Sequence, residues 1–540
     1  ATINQQLLSW ALLFFCLNGL FFLGTTLFLT NPFRLIPGNM IPAEGKGLNP
    51  LLQNPWMLLH PPILYLGFTS LVIPSALALA SAITKDASGL WLSLTRRTVS
   101  LAWLFLSIGI VLGGNWAYIE LGWGGFWAWD PVENSSFFPW LIVTALVHTT
   151  MVQKKRGTLK LWNVFLAALA YALTVFGTFL TRSGVVQSVH AFASSDVGWV
   201  FLTYLGIFAL AALLAMFFAW KPFAAEVDMQ SLLSREALFL YGNLCLVSIT
   251  TSTIWGVMYP VFSESVLGKK ETVGPPFFNT VNVPIFLVML FLMSVAPFSP
   301  WKAQPSKIQL GRAFRGTAIC LILCALLIYI DPSRPYAALG FSLSAFLLVS
   351  SFSALSGNKR KGEDSKPTRM PTLADIRQKP GYLIHFGVAV MAFSITASMA
   401  YKVEKDVVLK VGESIEAGRY KLTLSSLDEK MDVQYNALRG VVDFETKSGQ
   451  KGTLYPEKRE YVSSPEPTTE VAIWSTAVDD LYLALNGLEL APDQKEVDIN
   501  SAAAAFKVFV NPFQVWLWVG AGIVFLGGAL LVSTRKDGVS

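Results

Sequence analysis

Twelve apolar runs, each close to the length that crosses a bilayer as a helix, leave this chain few alternatives to a polytopic membrane fold. They lie at about 7–29, 61–84, 98–114, 136–152, 161–180, 198–220, 237–258, 282–299, 316–331, 336–356, 382–400 and 512–533. Backbone in hydrocarbon must satisfy its own polar groups, so such runs read as helices. Charged residues make up 14% of the 540, against about 25% in a soluble domain. That deficit excludes a disordered chain and an ordinary soluble enzyme. The net charge of +6 is no sign of nucleic-acid binding, because the basic residues sit in short loops between apolar runs.

Those basic residues set the orientation. The loops at 85–97, 154–160, 221–235, 301–315 and 357–381, with the tail after 533, hold 22 Lys and Arg. The opposite loops, at 30–60, 115–135, 181–197, 259–281 and 332–335, hold 6. Positive loops stay on the cytoplasmic side, so both ends of this chain are expected inside. The run at 359–361 reads as an inside anchor. One polar insertion, 401–511, falls on the outer side; 406–411 and 420–424 alternate as strands do. The expected fold is therefore an all-α polytopic membrane protein of about twelve transmembrane helices with a small external β domain. The division is a helical core at 1–400, the β domain at 401–511, and a last helix with a cytoplasmic tail at 512–540.

Cys16, Cys245, Cys320 and Cys324 all lie in apolar runs. Cys320 and Cys324, one turn apart, read either as a redox pair or as small apolar filler. No CxxC or CxxCH occurs, so the chain is not itself a c-type cytochrome.

Only four histidines are present, and the topology assigns each a depth. His148 lies six residues before Lys154, and His385 six residues after Lys379, or about 9 Å of helix from each inner surface. Two readings stand for imidazoles at matched depth in hydrocarbon. Each bonds a neighbouring helix, or the two ligate one haem iron from opposite sides. His60, followed by Pro61-Pro62, is expected at the mouth of a descending helix, with the prolines in its first turn. His190 lies in the outer loop 181–197. These two read either as interfacial side chains or as a second, outward-facing ligand pair.

Residues 116–140 form the most unusual segment, with five Trp (116, 123, 127, 129 and 140) and three carboxylates (Glu120, Asp130 and Glu133). An interfacial aromatic belt accounts for one or two of these Trp. Flat aromatic faces also suit a porphyrin plane, and Gly124-Gly125 would let backbone approach a flat ligand. Asp130, Glu133 and Asn134 are expected to pin the loop by hydrogen bonds. Arg182 is either an interfacial anchor or a partner for a propionate.

The run Trp123-Gly-Gly-Phe-Trp-Ala-Trp-Asp-Pro-Val-Glu-Asn-Ser-Ser-Phe-Phe-Pro-Trp140 resembles the tryptophan-rich WWD motif of haem-handling membrane proteins. The version resembles the F subunit of the bacterial cytochrome c maturation machinery (CcmF) or its paralogue for nitrite reductase maturation (NrfE). His60-Pro-Pro-Ile-Leu-Tyr65, Leu180-Thr-Arg-Ser-Gly-Val185 with Val189-His-Ala-Phe192, and Gly274-Pro-Pro-Phe-Phe-Asn279 extend the similarity over nearly the whole chain. Members of that family usually carry further membrane helices before this point, so an N-terminal part is expected to be absent, or the chain is a shorter variant.

The resemblance implies that His148 and His385 are the ligands of a buried haem b, a probable electron relay. It implies that His60 and His190 ligate a second haem, the substrate, received from a periplasmic haem chaperone. Trp116, Gly124, Gly125, Phe126, Glu133, Asn134 and Arg182 would line that outer site. Trp123, Trp127, Trp129 and Asp130, with the two outer histidines, would hold the haem for thioether attachment to CxxCH of apocytochrome c. Implied partners are the haem chaperone, thiol-handling lyase subunits of the CcmH/CcmI type, apocytochrome c, membrane lipid, and a quinol as a candidate donor that no motif marks. The implied location is the bacterial inner membrane, with the active site facing the periplasm. The β domain, which contains no His or Cys, is expected to make partner contacts. Competing readings are a haem transporter with a WWD loop, for which a buried His pair is not expected, and a solute transporter with aromatic gates.

Overall fold

The computed structural model describes residues 4–35, 45, 47–188, 197–224, 231–301, 304–356, 370–462, 464, 466–489 and 502–534. His190 and the basic run 359–361 lie outside them. Among the described residues, twelve spans are long and apolar enough to cross a membrane. The chain is a multi-pass membrane protein.

The helices, in order, are α1 (Gln5–Gly24), α2 (Pro55–Ser70), α3 (Val72–Ile83), α4 (Leu90–Glu120), α5 (Pro131–Arg156), α6 (Lys160–Ser183) and α7 (Val197–Ala219). There follow α8 (Arg235–Leu267), α9 (Pro275–Val295), α10 (Lys307–Ile330), α11 (Pro335–Ser356), the short α12 (Leu373–Gln378), α13 (Pro380–Tyr401) and α14 (Gln514–Thr534). α2 and α3 form one span broken at Leu71. α5 and α6 carry the interior of the bundle, with Leu141, Ile142, Leu166 and Ala170 fully buried. α7 and α10 instead expose Ile207, Phe217, Ile322 and Tyr329, as apolar side chains facing lipid do.

Two helix boundaries differ from the expectation, one a start and one an end. α2 begins at Pro55, not at Pro61, because the Asn54 side chain accepts from the Trp56 N–H at 2.8 Å and caps it. His60 and its two prolines thus lie inside the helix, beyond the first turn. α4 runs on to Glu120, so Trp116 and Tyr118 are helical and the connecting loop shrinks to 121–130. The helix persists there because its last turns pack beneath the β domain.

That domain has ten strands: β1 (Val403–Lys410), β2 (Ser414–Ala417), β3 (Tyr420–Met431), β4 (Tyr435–Thr446), β5 (Lys451–Leu454), β6 (Glu457–Tyr461), β7 (Thr468–Glu470), β8 (Ala472–Ser475), β9 (Asp479–Glu489) and β10 (Ala503–Pro512). One sheet runs β1-β10-β9-β8 and the other β2-β3-β4-β6-β7, with β5 added to β4. Alternate residues close the sandwich: Leu422, Leu424 and Phe444 from one sheet meet Leu483, Leu485, Phe506 and Val508 from the other. The inserted domain returns through β10 into α14, which packs along α13.

Candidate functional site

α5 and α13 bring His148 and His385 together across the bundle. Their ring centres are 6.1 Å apart and the ring planes differ by 15°. The His148 Nδ1–H donates to the Thr144 carbonyl, one turn back in its own helix, at 2.8 Å. A carbonyl only accepts, so this bond assigns the proton to Nδ1 and the lone pair to Nε2. Phe239 of α8 meets the His148 ring edge-on at 5.3 Å. Two imidazole nitrogens, each about 2 Å from one metal ion, place their ring centres about 6 Å apart. The donor set and spacing therefore fit a bis-imidazole iron. The bond at Nδ1 stays within α5.

Thr144 links this level to the outer one. Its hydroxyl donates to the Trp140 carbonyl at 2.7 Å and accepts from the Trp103 indole at 2.9 Å. Trp140 stacks on Phe137 at 5.6 Å and donates to Ser107 at 2.8 Å. Phe137, Trp140, Thr144 and His148 recur every three or four residues, so they share one face of α5.

At the outer level, α2 lies on α4 through glycines. His60 Nδ1–H donates to the Gly109 carbonyl at 2.7 Å, which again leaves Nε2 with the lone pair. A β-carbon at Gly113 would lie 2.6 Å from His60 Cε1, and one at Gly114 would lie 3.1 Å from the Phe126 carbonyl. Adjacent glycines thus press His60 and the 121–130 loop against one turn of α4. A Gly pair inside a helix costs about 1 kcal/mol per residue relative to Ala. That cost is the sequence signal that Gly113-Gly114 serves close packing.

The loop ends in a capping box. Asp130 Oδ1 accepts from the Val132 N–H at 2.8 Å and the Glu133 N–H at 3.4 Å. Glu133 Oε2 accepts from the Ala128 and Asp130 N–H groups at 3.0 and 3.2 Å. The Asn134 amide donates to the Trp129 carbonyl at 2.8 Å. Ser188 Oγ donates to Asp130 Oδ1 at 2.7 Å, tying the chain two residues before His190 to this loop. Above this base, Trp127 meets Trp129 and Phe137 edge-on at 6.2 and 5.5 Å. Both indoles are half-buried.

A family model described as "Cytochrome C assembly protein" matches residues 2–187, and one described as "CcmF C-terminal beta-sandwich" matches residues 400–512. The "Cytochrome c-type biogenesis protein CcmF" of Pseudomonas aeruginosa is 35% identical over 527 residues, covering 96% of this chain and 77% of that protein. The chain belongs to the CcmF family. The CcmF protein of Escherichia coli is 34% identical over 516 residues, covering 94% and 76% of the two chains. NrfE of Haemophilus influenzae is 33% identical over 514 residues, covering 93% and 76%. A solved structure, "Cytochrome c Heme Lyase CcmF", superposes with a TM-score of 0.76 at 28% identity, covering 98% of this chain and 78% of that one.

Within this CcmF-family chain, several residues assigned to the outer site hold the scaffold. Trp116 is fully buried and donates to the Leu51 carbonyl at 2.8 Å, so it anchors the segment before α2. Trp123 donates to the Ala117 carbonyl at 3.1 Å. Gly124, expected to admit a flat ligand, instead admits Phe509 of the β domain: a β-carbon there would lie 2.5 Å from that ring. Gly125 has open space around it, and Arg182 is exposed in the last turn of α6. Tyr118, Asp480 and Asn511 carry no sequence signal for their union. Asn511 donates to the Tyr118 hydroxyl and the Gly124 carbonyl, both at 3.1 Å.

Proposed function

We propose that this CcmF-family protein is the haem lyase subunit of cytochrome c maturation. It takes haem from a periplasmic haem chaperone and promotes its attachment to the CxxCH cysteines of apocytochrome c. The observation that supports this reading best is the 6.1 Å approach of the His148 and His385 rings. Such a pair suits a resident haem b, which when bound supplies one-electron chemistry. A haem transporter has no comparable need of it.

The residues do the rest by placement. Thr144 orients His148, and Gly109 orients His60, so each presents Nε2. Half-buried Trp127 and Trp129 offer flat faces for the incoming haem, and Asp130 with Glu133 keeps their loop in shape. His60 and His190 act as ligands of the substrate haem. Thioether formation adds a thiol S–H across a vinyl C=C, so nothing leaves and no side chain need accept a proton permanently. Holding the reactants together is then the main task, and proximity alone is worth several powers of ten. The β domain, beside the loop, offers a surface for the lyase subunits that present the apocytochrome. The loop and this domain face the periplasm, and the protein resides in the inner membrane.

The test is an absorption spectrum with a pyridine haemochrome assay on the purified protein. His148→Ala and His385→Ala should each abolish the resident haem at unchanged protein level, whereas His60→Gly should retain it and block cytochrome c assembly. Full haem content in both inner variants would refute the reading.

A further inference from the structure

The segment Gly274-Pro-Pro-Phe-Phe-Asn279 opens α9, and its last two residues clamp the aromatic loop. The Trp129 indole N–H donates to Asn279 Oδ1 at 2.9 Å. The Trp129 ring also stacks on Phe278 at 5.1 Å, with the planes within 8° of parallel. Trp129 has φ +59°, in the left-handed region that a bulky residue avoids. Such a conformation persists where surrounding contacts hold it. Phe278 is itself fixed: it is 2% exposed, and a β-carbon at Gly256 of α8 would lie 2.5 Å from its ring. Phe278 covers one face of the half-buried Trp129 ring, and Trp127 of the same loop meets that ring edge-on at 6.2 Å.

We propose that Phe278 and Asn279 are positioning residues for the outer haem site, setting the plane and rotation of Trp129 so that its free surface meets the porphyrin. Neither residue touches the reacting atoms. The inference rests on the reading that the aromatic loop with His60 receives haem.

Haemin titrated into the purified protein, followed by the absorbance of the added haem, tests it. The resident haem serves as the folding control. Asn279→Leu removes the acceptor and should weaken haemin binding about tenfold, the scale of one lost oriented contact. Asn279→Asp keeps an acceptor and should restore binding. In a Trp129→Phe background, which lacks the indole N–H, Asn279→Leu should have no further effect. A purely structural role for Asn279 predicts an equal effect in both backgrounds. Phe278→Leu, which removes the flat ring beneath Trp129, should also weaken binding. Parent-like binding in Asn279→Leu and Phe278→Leu, alongside lost binding in His60→Gly, would overturn the inference and leave the outer site standing. Parent-like binding in His60→Gly would overturn the outer-site reading, and this inference with it.

Discussion

The hydroxyl of Tyr118, near the end of α4, donates to Asp480 of β9 at 3.0 Å. This buried bond joins the membrane bundle to the β domain beside the aromatic loop. Burial pushes the Asp480 carboxyl up to about 6, helped by neighbouring Asp479, while bonds from Tyr118 and Ser475 pull the other way. Asp479 is itself paired with Arg419 at 2.6 Å.

In the unfolded chain an aspartate titrates near about 3.9. The folded state therefore holds the proton more tightly, and stability from this group falls as pH rises from about 4 to about 6. Asp480→Asn cannot ionise and keeps an oxygen for Tyr118. Its melting temperature relative to the parent should climb across that window and then level off. A difference independent of pH would show that Asp480 is not the titrating group.

Gly124→Ala should loosen the β domain from the bundle. Its β-carbon would lie 2.5 Å from the Phe509 ring, at a backbone φ of +67°. Overpacking of this kind costs about 1–3 kcal/mol, and the positive φ adds about 1–2 kcal/mol. Gly125→Ala meets nothing within 4 Å and should be nearly neutral. Thermal melting compares the two. Adding Phe509→Leu should recover part of the Gly124→Ala loss.

The span number was legible because apolar run length is a local property, and so was the β domain's strand character. Helix ends were less so: Asn54 caps α2 well before the apolar run begins, and α4 outlasts its own run under a domain whose Asp480 lies 362 residues from Tyr118. The depth of His148 and His385 could be read from the lysines flanking each helix, and their rings do adjoin. Which side of Gly124 meets what could not be read, since Phe509 reaches it only through the tertiary fold. The capping box at Asp130 and Glu133 is local chemistry, and the pinning role expected of it matches its hydrogen bonds. Trp116 looked like its loop neighbours in composition, yet its position on α4 buries it completely.

Gly113→Ala should damage the outer site without touching the inner one. The new methyl would lie 2.6 Å from His60 Cε1, so the ring must leave the Gly109 carbonyl. Haemin affinity at the outer site should fall about tenfold, while the spectrum of the haem proposed at His148 and His385 stays unchanged. Added imidazole should restore cytochrome c assembly in His60→Gly, where the ring's space is empty. It should not do so in Gly113→Ala, where the displaced side chain still occupies that space. Assembly at the parent level in Gly113→Ala would contradict this account.

Arg156 and Glu236 pair at 2.8 Å with side chains only 7% and 6% exposed, at the inner ends of α5 and α8. Thr158 adds a bond to the same carboxylate at 3.2 Å. Removing one partner strands the other charge in a dry setting. Glu236→Ala should therefore lower stability by about 3–5 kcal/mol, measured as a large drop in melting temperature that salt does not reproduce. Replacing both, as Arg156→Met with Glu236→Met, removes the stranded charge and should recover most of the loss. Because α5 carries His148 two turns away, Glu236→Ala should also shed the haem proposed there at a lower temperature than the parent. If the single and double variants melt together, the pair is not what holds α5 against α8.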